Sequence, residues 1–141
     1  MTWRVFRAAL ASLPLLVSTV DVMMSSAEEA KPYTITDGKV DAHTYNGWRR
    51  YTESCLRCHG PDGAGSSYAP DLTRSLKQMN EDQFKEVVVN GRQNVSQSAE
   101  NVMPPFGEVE DVVLYLDDIY AYLKARSDGV LDRGRPPRAD R

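Results

Sequence analysis

Hydrophobic and polar positions follow different periods along the chain, and the changes of period mark out its segments. Behind Arg4 and Arg7 runs an uncharged stretch from Ala8 to Val20, which ends near the small residues Ser25, Ser26 and Ala27. Basic residues, an apolar stretch and small residues in that order predict a secretory signal peptide over 1–27, cleaved near Ala27. The stretch falls short of the roughly 20 residues that a spanning helix needs, and a retained anchor is the alternative. Residues 28–43 are polar, with Pro32 and Gly38, and read as an extended lead-in. Gly47, Tyr51 and Cys55 then recur at i, i+4 and i+8, one stripe of a helix beginning near Thr44. Residues 60–72 hold three Gly and two Pro and must be loop. Asn80 with Gln83 forms a capping box for a short helix whose buried face is Phe84, Val87 and Val88, closed by Gly91. Residues 92–107 show no periodicity and end in the stiff Met103-Pro104-Pro105 segment. The strongest helix is predicted from about Val109 to Arg126, with Val112, Leu116, Ile119 and Leu123 as its stripe and Val113, Tyr120 and Tyr122 widening it. The pattern is therefore all-α, one domain over 44–126, followed by a tail, 127–141, whose polar composition predicts disorder.

A chain of 141 residues supplies one small core and excludes a multidomain machine. Its formal charge of −3 argues against nucleic acid as a partner, since phosphate neutralisation needs a basic face. The charge is unevenly spread: residues 28–125 carry 10 basic and 16 acidic groups, or −6, whereas residues 126–141 have five Arg against three Asp, or +2. No second hydrophobic segment approaches spanning length, so the expectation is a periplasmic protein without stable membrane insertion.

Both cysteines of the chain lie in Cys55-Leu56-Arg57-Cys58-His59, the haem c attachment pattern. Two intervening residues let both sulfurs reach the vinyl positions on one edge of a porphyrin, while the adjacent His turns beneath the ring to reach iron. A disulfide or an exported thiol redox pair is the alternative that the C-x-x-C alone permits. Zinc is poorer, because the only other His is His43 and four ligands are hard to collect. With His59 on iron, a low-spin carrier needs a second axial ligand from Met79, Met103 or His43. Met103 is preferred: it lies far enough downstream for the chain to pass around the haem edge, and the prolines after it stiffen the segment presenting its sulfur. Met79 reads as core packing and His43 as a solvent-exposed residue. A proximal imidazole usually donates its second ring N–H to an oxygen, and the Pro70 carbonyl is the candidate acceptor, with Leu72 against the porphyrin; a plain loop turn is the competing account of that segment.

On these residues the chain resembles the class I monohaem cytochromes c, over about Tyr45 to Arg126. The resemblance implies a small cytochrome c fold in which the first and last helices cross over covalent haem, with Gly47 and Tyr51 against Ile119 and Tyr122. The stretches Tyr45–Tyr51, Gly63–Pro70 and Tyr115–Tyr120, and the ending Leu123–Gly129, are similar to the small periplasmic cytochromes associated with methanol metabolism. Many of those carry a further cysteine pair, and this chain has none. The resemblance implies an electron-transfer protein rather than an enzyme, with a quinoprotein alcohol dehydrogenase as donor and a downstream cytochrome or oxidase as acceptor. A general respiratory cytochrome c, a haem enzyme or sensor with an open sixth position, and a thiol oxidoreductase remain the alternatives.

Overall fold

The structure, a computed structural model, describes residues 30–96 and 99–139. The expected signal peptide lies outside them. Helix α1 (Ala42–Ser54) starts where Asp41 accepts a hydrogen bond from the Thr44 amide at 2.9 Å, which satisfies one of the unpaired donors of the first turn. It crosses the last long helix, α6 (Leu116–Ser127), with no room between the backbones: a Cβ on Gly47 would sit 1.8 Å from the Asp118 carbonyl oxygen. The Tyr51 and Tyr122 rings meet there in a tilted pair at 5.5 Å between centroids, both shut off from solvent. Ile119 and Leu123 from α6 complete this part of the core.

Short helices fill the space between. α2 (Leu56–His59) continues from α1, a 3-10 turn spans Pro61–Gly63, and α3 (Leu72–Ser75) is capped by Asp71. α4 (Glu81–Asn90) has the predicted capping box, with Asn80 accepting from the Gln83 amide at 2.9 Å and Gln83 accepting from the Asn80 amide at 3.0 Å. Its Phe84 and Val88 are buried, Val87 is half-buried, and Phe84 meets the Tyr120 ring at 5.4 Å.

Four expectations are corrected. The lead-in has its own hairpin, β1 (Ile35–Thr36) with β2 (Lys39–Val40), turning through Asp37 and Gly38 at φ 51° and 73°, and it buries Tyr33 and Val40. Residues 92–103 form a second antiparallel hairpin, β3 (Arg92–Ser96) with β4 (Ala99–Met103), in the register Arg92 to Met103. The final helix is broken at Tyr115 into α5 (Glu110–Leu114) and α6, which leaves Val113 and Leu114 in solvent. The tail through Ala139 is ordered: it buries Leu131 and Pro136 and runs back beside β2, where Val40 donates to the Pro137 carbonyl and accepts from the Ala139 amide, each at 2.9 Å. Backbone pairing to a strand edge explains why composition alone misread this segment. Among the described residues no helix is long and apolar enough to cross a membrane.

Candidate functional site

Cys55 terminates α1, its amide bonded to the Tyr51 carbonyl at 2.9 Å, and its own carbonyl receives the His59 amide at 2.9 Å. The motif is thus one helical turn set directly on the end of the long helix, which places Cys55, Cys58 and His59 within a single turn of backbone. Both thiols are free; Cys55 is half-buried and Cys58 exposed. His59 is 6% exposed, and its Nδ1 lies 3.0 Å from the Pro70 carbonyl oxygen. A carbonyl only accepts, so Nδ1 carries the proton and Nε2 keeps the free lone pair. The loop that brings Pro70 round is tied back to the motif: the Gly65 amide donates to the His59 carbonyl at 2.8 Å, and the Ser66 hydroxyl donates to the Cys58 carbonyl.

Met103 ends β4 and is half-buried against the core. Two constraints set its place. The Phe106 and Gly107 amides dock on the Val88 and Val89 carbonyls at 2.9 and 3.1 Å, and a Cβ on Gly91 would lie 2.6 Å from the Met103 carbonyl oxygen. The Met103-Pro104-Pro105 segment is therefore pressed onto the end of α4. Leu72 is half-buried at the head of α3 and packs on the same core as Cys55, Met79 and Met103. His43 is remote in role: its ring is 80% exposed and its Nδ1 meets Asp118 Oδ1 at 3.0 Å.

This donor set fits haem c. It offers two free thiols, a buried imidazole with one nitrogen committed and the other available, and the thioether of Met103, whose backbone lies against the end of α4. Among the described residues no three His, Cys, Asp or Glu side chains gather to hold a bare metal ion. Burial, reinforced by the neighbouring Cys58, pushes the Cys55 thiol up to about 12, opposite to the lowered value that activates a thiol redox pair.

Two supporting groups carry no sequence signal as site residues. The Tyr51 hydroxyl donates to the Gly60 carbonyl at 2.5 Å and accepts from the Gly63 amide at 3.0 Å, which pins the turn after His59 to α1. Asp62, inside that turn at φ 61°, accepts hydrogen bonds from Arg133 and Gly134 of the tail. Asp71 caps α3, a helix that the sequence reading did not include. Burial would raise its pKa, but hydrogen bonds from the Thr73 hydroxyl and the Thr73 and Arg74 amides outweigh that and hold it below the usual carboxylate value.

The family described as cytochrome C oxidase, cbb3-type, subunit III matches residues 42–123. Cytochrome c-553I of Paracoccus denitrificans is 47% identical over 116 residues, which cover 82% of this chain but 51% of that protein. The chain thus spans about half the length of that relative. Cytochrome c-555 of Methylococcus capsulatus (strain ATCC 33009 / NCIMB 11132 / Bath) is 46% identical over 96 residues, 67% of this chain and 72% of its own. Among solved structures, the c-type cytochrome XoxG from Methylobacterium extorquens AM1 matches with a TM-score of 0.67 and 37% identity, over 82% of this chain and 77% of that one.

Proposed function

This chain belongs to the c-type cytochromes, and from that premise we propose that it is a periplasmic one-electron carrier whose Cys55 and Cys58 would hold haem c and whose His59 and Met103 would ligate the iron. When bound, haem c supplies a ferrous/ferric couple. The chain's own residues do the rest. The thiols of Cys55 and Cys58, within one helical turn, would hold the haem by thioether bonds to its vinyl groups. The Pro70 carbonyl holds the proton on His59 Nδ1, so Nε2 would be the nitrogen free to ligate iron, and that hydrogen bond would make the imidazole a stronger donor. Met103 supplies a thioether, a ligand that favours the reduced state. Leu72, half-buried against the core, would help to exclude water from a bound haem. The bond between His59 and Pro70 is the observation that carries this reading, since it fixes which nitrogen is free.

The donor we infer is a quinoprotein alcohol dehydrogenase and the acceptor a downstream cytochrome or oxidase. The stretches Tyr45–Tyr51, Gly63–Pro70 and Tyr115–Tyr120, similar to the methanol-associated cytochromes, support that choice. The 1–27 segment supports export. The test is an intact mass together with two variants. The purified protein should weigh the processed chain plus one haem. Met103→Ala should keep the haem, lose the sulfur-to-iron charge-transfer band of the oxidised form and lower the reduction potential, while Met79→Ala changes neither. Free thiols without haem, or loss of the band in Met79→Ala instead, would contradict the assignment.

A further inference from the structure

Asp62 ties the tail beyond α6 to the site. Asp62, three positions after His59, sits in the 3-10 turn at φ 61°, a left-handed conformation that a residue with a side chain adopts only when its surroundings hold it. Its carboxylate is 10% exposed and is gripped twice from the tail: Arg133 Nε donates to Oδ2 at 3.1 Å and the Gly134 amide to Oδ1 at 2.9 Å. Arg126 of α6 bridges the same pieces, reaching the Asp62 carbonyl with Nε at 3.5 Å and the Leu131 carbonyl with Nη1. Beyond this grip the tail is anchored on α1 and β2. Arg135 donates to the Tyr45 hydroxyl and lies over the Tyr45 and Trp48 rings at 5.7 and 5.6 Å, and residues 137–139 pair with Val40.

We propose that residues 128–139 form a strap whose Arg133 and Gly134 are positioning residues for the haem-binding motif. The inference rests on the proposed function only in taking that motif as the haem site. The strap closes the turn from outside, while the Tyr51 hydroxyl grips Gly60 and Gly63 from inside. Between them the turn is fixed, and with it the loop that runs on through Gly65, bonded to the His59 carbonyl, to the Pro70 carbonyl on His59 Nδ1. Removing the outer grip frees Asp62 to leave its left-handed conformation, which loosens this loop while the α4 side of the core keeps its contacts. A tail that merely adds stability would loosen every element together.

Amide hydrogen exchange on the full-length holoprotein separates the two cases, because local opening and global unfolding register at different amides. With Arg133→Ala, the Gly63 and Gly65 amides should exchange at least about tenfold faster, the size expected for losing a charge-assisted hydrogen bond, while Val88 in α4 stays within about twofold of wild type. A chain ending at Leu131 should show a larger local effect, and Arg133→Lys should restore part of the protection. Unchanged exchange at Gly63 and Gly65, or equal acceleration there and at Val88, would overturn the proposal. Intact mass reports haem separately: a chain lacking haem contradicts the proposed function, and the exchange comparison still decides the strap.

Discussion

His59 and His43 show how partners divide the work of one residue type. The carbonyl of Pro70 gives His59 a fixed tautomer and a free Nε2, whereas the carboxylate of Asp118 accepts from His43 Nδ1 and favours the protonated ring. The hydrogen bond to Asp118, then its charge, raises the His43 pKa above 6.5, against a smaller opposing effect of burial. A folded value above the unfolded one means that the pair's contribution is fully present below about pH 6.5 and is lost as pH rises through the raised value. The ring is largely in water, so the effect is small. His43→Gln should therefore narrow the difference in Tm between about pH 6 and pH 8, measured by thermal unfolding at both; a difference equal to wild type would show that the pair contributes nothing. At this scale the sequence is informative where chemistry is contiguous, as in Cys55 to His59. It is silent on the Tyr51 hydroxyl, whose partners are set by how the turn after His59 folds back on α1, and on Asp62, whose partners come from the distant tail.

Among elements, the crossing of α1 and α6 is the tightest constraint. Gly47→Ala sets a Cβ 1.8 Å from a backbone oxygen that has no rotamer to relieve it, so the helices must separate. We expect a loss of about 3 kcal/mol, at the upper end for overpacking, seen as a fall in Tm of about 10 °C. A Tm within about two degrees of wild type would mean that the helices do not pack backbone to backbone there. The periodic elements were readable: α4 begins and ends at the residues its capping box and Gly91 indicate, and α1 follows its i, i+4 stripe. The break at Tyr115 was not, because the apolar stripe continues through it. What marks the break is tertiary: the Arg50 guanidinium lies over the Tyr115 ring at 4.2 Å and pairs with Asp111. The first hairpin had a signal in Asp37-Gly38, a dipeptide suited to a turn with positive φ at both positions, but only two residues on each side. The second hairpin lacks apolar alternation altogether, and its position is set by the docking of Phe106 and Gly107, just beyond β4, on the α4 backbone.

For the whole molecule, composition located the charges but not their tethers. Residues 28–125 carry −6, and the arginines of the tail that were expected to move freely are held: Arg133 on Asp62 and Arg135 on Tyr45. If the chain carries electrons as proposed, the acidic body is the surface expected to meet a partner, and complementary charge mainly raises the rate of encounter. Reduction by a quinoprotein alcohol dehydrogenase should slow as ionic strength rises in stopped-flow measurements, and a rate indifferent to salt would remove the electrostatic account of docking. The central claim, a carrier of single electrons with thioether ligation from Met103, is tested most directly by a spectroelectrochemical titration of the purified protein. The account predicts one reversible one-electron transition, with the sulfur-to-iron band present in the oxidised form and vanishing along the same curve. A transition in which that band never appears, or a two-electron transition belonging to a dithiol, would contradict it.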